Sequence, residues 1–184
     1  IYQGIIRTTD NKIKIYEAYR SLKRIRDFNT NDELKPSNSA TTTALEIGRR
    51  FESRMKLPWG RGIWPAFWML GTNLSTVGWP ACGEIDIMEM VGGVGGDNTV
   101  HSTIHWENDG EQASYGESYS LTSGIFADDF HVFSVEWNET AIRGFVDDTQ
   151  YFVVDITPEQ LSEFQNNFFV ILNLAVGGNW PGPP

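Results

Sequence analysis

Three carboxylates fall within six residues of the run Gly83-Glu84-Ile85-Asp86-Ile87-Met88-Glu89-Met90. The rest of the run is apolar, the composition of a buried strand. A carboxylate in such a place costs free energy unless it is partnered or used. Side chains alternate along a regular strand, so Glu84 and Asp86 would point one way and Glu89 the other. One extra residue, a β-bulge in the Ile87-Met88 region, returns Glu89 to the face of its companions, and bulges are frequent beside active sites. In the bulged strand Glu84 and Glu89 lie about 13 Å apart at Cα. Side chains leaning inward bring the two carboxyl groups to roughly 6 Å, closer to the ~5–5.5 Å of a retaining glycosidase than to the wider inverting range. Three like charges so close cannot all ionise easily, so one keeps its proton near neutral pH, and a single strand supplies both a nucleophile and an acid. The same residues also suit a solvent-facing acidic edge strand, and spacing alone leaves both readings open.

The segments around this run read mainly as strands. Arg50–Leu57 alternates, with Phe51, Ser53, Met55 and Leu57 on one face and Arg50, Glu52, Arg54 and Lys56 on the other, the pattern of a half-buried strand. Ile63–Leu70 is a second strand with Pro65 near its start, and Trp64 and Trp68 share one of its faces. Thr72–Ala81 reads as a loop that delivers Trp79 beside the acidic run. Gly92–Gly96 is a turn and lacks the Lys-Ser/Thr pair of a phosphate loop. Val100–Trp106 alternates again, placing His101, Thr103 and His105 together. Asn108–Asp128 is long and polar, and is expected to be a loop bordering a cleft. Strands near 131–137, 141–146 and 150–154 form a meander, in which Glu136 is expected in a structural ion pair. Thr157-Pro158-Glu159-Gln160 is a helix start with Thr157 as N-cap. Phe168–Val176 is apolar except for Asn173 and is expected to be a strand buried on both faces, its amide pinning neighbouring groups.

A chain of 184 residues suits one domain with a substantial core. Its net charge of −10 argues against a nucleic-acid or anionic-membrane partner. The charge is uneven: residues 1–57 hold 12 of the 14 Lys and Arg. The single cysteine, Cys82, excludes an internal disulfide and suits core filling. No transmembrane run or signal peptide is visible. Residues 1–46 are the least regular stretch. They read as a short strand within Ile1–Thr8, a basic helix over Ile13–Phe28 and a polar loop from Asn29 to Thr43.

Gly83-Glu-Ile-Asp-Ile-Met-Glu89 resembles the active-site signature of the laminarinase-like members of glycoside hydrolase family sixteen. The flanks agree in order: Arg50–Pro58, Gly62–Gly71, Phe130–Trp137 and Ile171–Gly182 are similar to that family's motifs. The resemblance covers roughly residues 47–184 and leaves 1–46 as a diverged or inserted N-terminal segment of a single catalytic domain. It implies an all-β, concanavalin-like jelly-roll sandwich with a substrate cleft on its concave sheet, and strands beyond both ends of this chain. It implies an endo-acting enzyme that cleaves β-1,3-glucan with retention, Glu84 being the nucleophile, Glu89 the general acid/base and Asp86 the residue that orients Glu84. Mixed-linkage glucans and red-algal galactans are the alternative substrates, and a non-catalytic glucan-binding module is the remote one. No organic cofactor is implied; a structural calcium on the outer face is permitted, and no loop specifies one. A secreted monomer is expected. Tryptophan suits such a substrate, because its face covers the C–H face of a pyranose while its N–H reaches a hydroxyl. Trp64, Trp68, Trp79 and Trp180 are the candidate sugar contacts, Trp106 and Trp137 the core ones, and Trp59 fits either place. His105, near the acidic strand, is a candidate partner for a catalytic carboxylate or the sugar. A metal role for it is not expected. His101 is expected to be a surface or loop-packing residue. Tyr115 and Tyr119 are minor candidates for sugar contact.

Overall fold

Alternating apolar residues need a second layer to bury them, and here two antiparallel sheets supply it to each other. A computed structural model describes residues 47–184 and, before them, the backbone of residues 6–7, 12–13 and 37–40. The strands are β1 (Ile6–Arg7), β2 (Lys12–Ile13), β3 (Ser37–Ala40), β4 (Arg49–Met55), β5 (Ile63–Gly71), β6 (Glu84–Glu89) and β7 (Thr99–Asn108). They continue with β8 (Glu111–Ser120), β9 (His131–Trp137), β10 (Ala141–Val146), β11 (Thr149–Asp155) and β12 (Phe168–Val176). One helical turn, α1 (Leu74–Val77), and a 3-10 helix (Glu159–Gln165) interrupt them. One sheet runs β3-β12-β5-β6-β7-β8 and the other β11-β10-β9-β4, while β1 and β2 pair separately. The result is a jelly-roll β-sandwich with the acidic strand β6 inside the larger sheet.

The core between the sheets is aromatic. Phe51, Phe67, Phe133, Trp137, Phe152, Phe164 and Phe168 are all buried, each contributing about 1.5–3 kcal/mol by leaving water. Trp137 also donates its indole N–H to the carbonyl of Phe164 at 2.9 Å, tying the small sheet to the 3-10 helix. That helix in turn backs Gly83, the residue before β6. Gly83 has φ 76°, and a Cβ there would meet the Phe168 ring at 3.0 Å and Glu163 Cβ at 3.1 Å. Only glycine lets the chain enter β6 at this point.

Most expected strands form within a residue or two of their sequence bounds, and four expectations change. The span Asn108–Asp128 is not a loop bordering a cleft. Its first half is strand β8, joined to β7 by a two-residue turn in which Asp109 and Gly110 both have positive φ. Asp-Gly is a strong signal for such a turn. Tyr115 and Tyr119 consequently face the other sheet, against Phe152 and Tyr151, and not a sugar. Within the expected polar loop Asn29–Thr43, residues Ser37–Ala40 pair with β12 as an edge strand. The helix start at Thr157 becomes a 3-10 helix whose N-cap is Pro158 and which has no side-chain cap. Thr157 instead donates its backbone N–H to Asp155. Strand β12 buries Phe168, Val170 and Leu174 but leaves the alternate residues partly exposed, so only one of its faces is core. The helix expected over Ile13–Phe28 lies outside the described residues apart from Ile13, which belongs to β2.

Candidate active site

The pairing of β6 settles where its acids point. On the β5 side Asp86 lies opposite Trp68 and Met88 opposite Phe67, so Ile87 has no partner. On the β7 side Asp86 faces Thr103 and Glu89 faces His101, again with one residue too many on β6. Ile87 is therefore the extra residue of a bulge, within the region the sequence indicates. Residues directly opposite one another on neighbouring strands share a face. Glu84, Asp86 and Glu89 accordingly stand on the outward face of the large sheet with Trp64, Trp68, His101 and His105, while Ile85, Ile87 and Met88 fill the core. The acidic edge strand is excluded, because β6 has a neighbour on each side.

Each outer acid accepts one indole N–H. Trp79 donates to Glu84 Oε2 at 2.6 Å, and Trp64 donates to Glu89 Oε1 at 2.9 Å. Asp86, fully buried, lies between them and hydrogen-bonds with Glu84. His105 Nε2 comes within 3.2 Å of Asp86 Oδ2. Gln112 donates its amide to His105 Nδ1 at 3.0 Å, which leaves the ring proton on Nε2, toward Asp86. Asp86 Oδ2 makes no well-aligned hydrogen bond, so the imidazole steadies it by proximity more than by a directed bond. Among the described residues no Lys or Arg pairs with any of the three acids.

Burial without a cation raises all three pKa values. Burial is the main cause for Asp86, with the charges of Glu89 and Glu84 adding to it, and it holds that carboxyl well above the usual range. A proton held by Asp86 would lie in its hydrogen bond with Glu84. Burial also raises Glu84, while the bonds from Trp79 and Asp86 pull it back down. Glu89 is pushed up to about 7, by burial first and by the charge of Glu84 as well, against the opposing bond from Trp64. The site thus holds a carboxylate supported by two donors beside a carboxylic acid still protonated near neutrality. Burial lowers the pKa of both His101 and His105, so both rings favour the neutral form.

The remaining candidates separate clearly. Trp180 packs edge-on against Trp64 and also against His101, each at 5.4 Å between ring centroids. Trp68 donates its indole N–H to Asn173 Oδ1 at 2.7 Å, so that amide holds a tryptophan on the cleft face. Trp79 and Trp180 remain about half exposed, as a contact surface requires. Trp137 is core and Trp106 packs against the core, both as expected, while Trp59 is exposed. Glu136 forms its ion pair with Arg50 on the outer face of the small sheet. His101 packs on the loop residue Trp180, as expected, but it also stands opposite Glu89. Its shared register with His105 in the alternation of β7 was the available signal. Ligating atoms of Glu84, Asp86 and His105 all lie within 4.8 Å of one another. That spacing would suit a metal, but these atoms already serve each other and Trp79. Among the described residues no other cluster of three such side chains occurs, and none lies on the outer face where a calcium was permitted.

The family model for glycosyl hydrolases family 16 matches residues 11–184. The chain is 44% identical over 136 residues to the clotting factor G alpha subunit of Tachypleus tridentatus, covering 72% of this chain and 19% of that protein. It is 36% identical over 154 residues to a glucan endo-1,3-beta-glucosidase of Cryptopygus antarcticus, covering 77% of this chain and 55% of that one. Among solved structures, the laminarinase catalytic domain of Thermotoga maritima superposes with a TM-score of 0.70 at 45% identity, over 81% of this chain and 61% of that chain. The chain therefore spans little more than half of the second relative and far less of the first.

Proposed function

Since the chain belongs to glycosyl hydrolases family 16, we propose that it is an endo-acting glycoside hydrolase that cleaves β-1,3-glucan with retention, using Glu84, Asp86 and Glu89. The observation that carries this reading is the bulge at Ile87, which gathers three carboxyls with different proton affinities on one face. Glu84 attacks the anomeric carbon while protonated Glu89 gives its proton to the leaving oxygen. A water molecule then attacks the glycosyl-enzyme with Glu89 as base, which restores both groups. Asp86 orients Glu84 by a hydrogen bond. The half-exposed Trp79 and Trp180 offer flat faces at the two ends of the acid row, with Trp64 and Trp68 beneath, which suits a chain of pyranoses. His105 steadies Asp86 and lies within reach of the sugar.

The likeness to proteins whose names specify 1,3-β-glucan supports that linkage. Retention of all three acids supports an enzyme over a glucan-binding module. The reaction needs no organic cofactor, and a single chain supplies every group it uses. A polymer substrate is too large to enter a cell unaided, which supports action outside it. No helix among the described residues is long and apolar enough to cross a membrane. The test is product analysis on laminarin, lichenan and agarose, with the native chain beside Glu84→Gln. The reading expects oligosaccharides from laminarin foremost and none from the variant. Binding of laminarin without release of reducing ends by the native chain would contradict it.

A further inference from the structure

The bulge that brings Glu89 into the site has a counterpart directly across the sandwich. In the small sheet Gly144 pairs with Phe152 and Phe145 with Gln150, so Tyr151 is the extra residue of a bulge in β11. Regular alternation would turn Tyr151 outward, next to buried Phe152. The bulge turns it in, and its ring packs against Tyr119 on the inner face of β8. Its hydroxyl reaches Ser102 Oγ at 2.7 Å. Ser102 is buried on β7, between the partners of Asp86 and Glu89, and donates to the carbonyl of Ile87 at 2.8 Å. With the serine proton spent on that carbonyl, the proton between the two hydroxyls belongs to Tyr151, which also stands 3.5 Å from Ile87 O. Gly144 leaves the necessary room: a Cβ there would come within 2.9 Å of Ser102 Oγ.

We propose that Ser102 and Tyr151 are positioning residues, which lock the Ile87 bulge through a hydroxyl bridge across the sandwich and so fix where Glu89 stands relative to Glu84. The proposal rests on the retaining-hydrolase reading above. A hydroxyl pair is costly in an aromatic core unless each member is bonded, and here both are spent on the one residue of β6 that pairs with neither neighbour. The chemistry requires the two carboxyls to be placed well within 1 Å, and a displacement of that size costs on the order of a hundredfold in rate. A bulge held only by its own strand could slip or flatten; one bonded from the opposite sheet cannot move without moving β11.

The test compares the native chain with Ser102→Ala, Tyr151→Phe and the double variant. It reads laminarin kinetics across pH, melting, and titration of the Glu89 carboxyl by carbon NMR. The groups facing Glu89 are Glu84 and Asp86 on its own strand and His101 and His105 on β7, and all remain in every variant. Each single variant is expected to lower kcat about tenfold or more, with KM changed less than about twofold. A loosened Glu89 reaches water, so its titration is expected to fall from about 7 toward the ordinary carboxylate range, and the alkaline limb of kcat with it. The double variant should be little worse than Ser102→Ala, because both hydroxyls act on one carbonyl. Variants that melt earlier yet keep the native kcat, alkaline limb and Glu89 titration would overturn the proposal. Should Ser102→Ala not fold, Tyr151→Phe, which loses one oxygen and keeps the ring, decides alone. If the native chain cleaves no glucan, the functional reading fails by itself, and the Glu89 titration still decides whether the bridge holds the bulge.

Discussion

Both sheets carry acids on their outward faces, and they hold them in opposite ways. On the small sheet Glu52 and Glu136 flank Arg50 at 3.2 and 2.9 Å, partly open to water. On the large sheet Asp86 and Glu89 are buried and Glu84 is half-buried, and the three have indole and carboxyl donors but no cation. A cation beside an acid fixes its charge. Withholding the cation while burying the acid leaves its proton negotiable, which is what acid catalysis requires. The difference is thus one of partners, since both sets of acids come from strands of alternating pattern.

Replacing the cleft acids should erase activity, and replacing the outer ones should not. Glu84→Gln is expected to lower kcat on laminarin by about 10⁴-fold or more, as loss of a nucleophile does elsewhere, with melting unchanged or higher. Loss of activity through unfolding would instead show as a collapsed melting curve. Glu89 comes next, through pH. Its folded pKa of about 7 lies above the ordinary glutamate value of 4.5, so it favours the fold in its protonated form. That contribution is whole below about 4.5 and is lost as pH rises through about 7, amounting to about 3 kcal/mol. The native chain should therefore melt progressively lower from pH 4.5 to 7, and Glu89→Gln should flatten that slope. An unchanged slope would mean that other groups carry it. Trp64→Phe removes a donor that lowers the Glu89 pKa. Its alkaline limb should move up by a fraction of a pH unit, where a purely structural tryptophan would leave it in place. Arg50→Ala is the smallest: no more than about 1 kcal/mol in denaturant unfolding, and no change in kcat. A kinetic effect there would break the contrast between the sheets.

The site was more legible in sequence than the frame around it. Three acids within six residues of an apolar run admit few arrangements, and the bulge follows from asking how Glu89 could join the others. The half-buried strands β4 and β7 show clean alternation because one face meets the core. Strand β8 escaped that reading because it is an edge strand whose residues are mostly exposed, so composition marks it as loop although Ala113, Tyr115 and Tyr119 keep the period of two. Ser37–Ala40, four small or polar residues, gives no hydrophobic signal at all; only pairing with β12 makes it a strand. Asn173 was expected to pin its surroundings, but nothing local names Trp68 as its partner, 105 positions away in sequence. The Ser102–Tyr151 bridge was illegible for the same reason: two hydroxyls on separate sheets meet only because the bulge in β11 turns Tyr151 inward.

The proposed retaining mechanism needs Glu84 and Glu89 on one face of the large sheet, and the anomer of the first-formed product reports on it directly. Proton NMR of laminarin during the first minutes of hydrolysis should show new reducing ends appearing as the β-anomer and only later equilibrating to α. Reducing ends born as the α-anomer would mean that water, not Glu84, attacks first, and the assignment of Glu84 as nucleophile would fall.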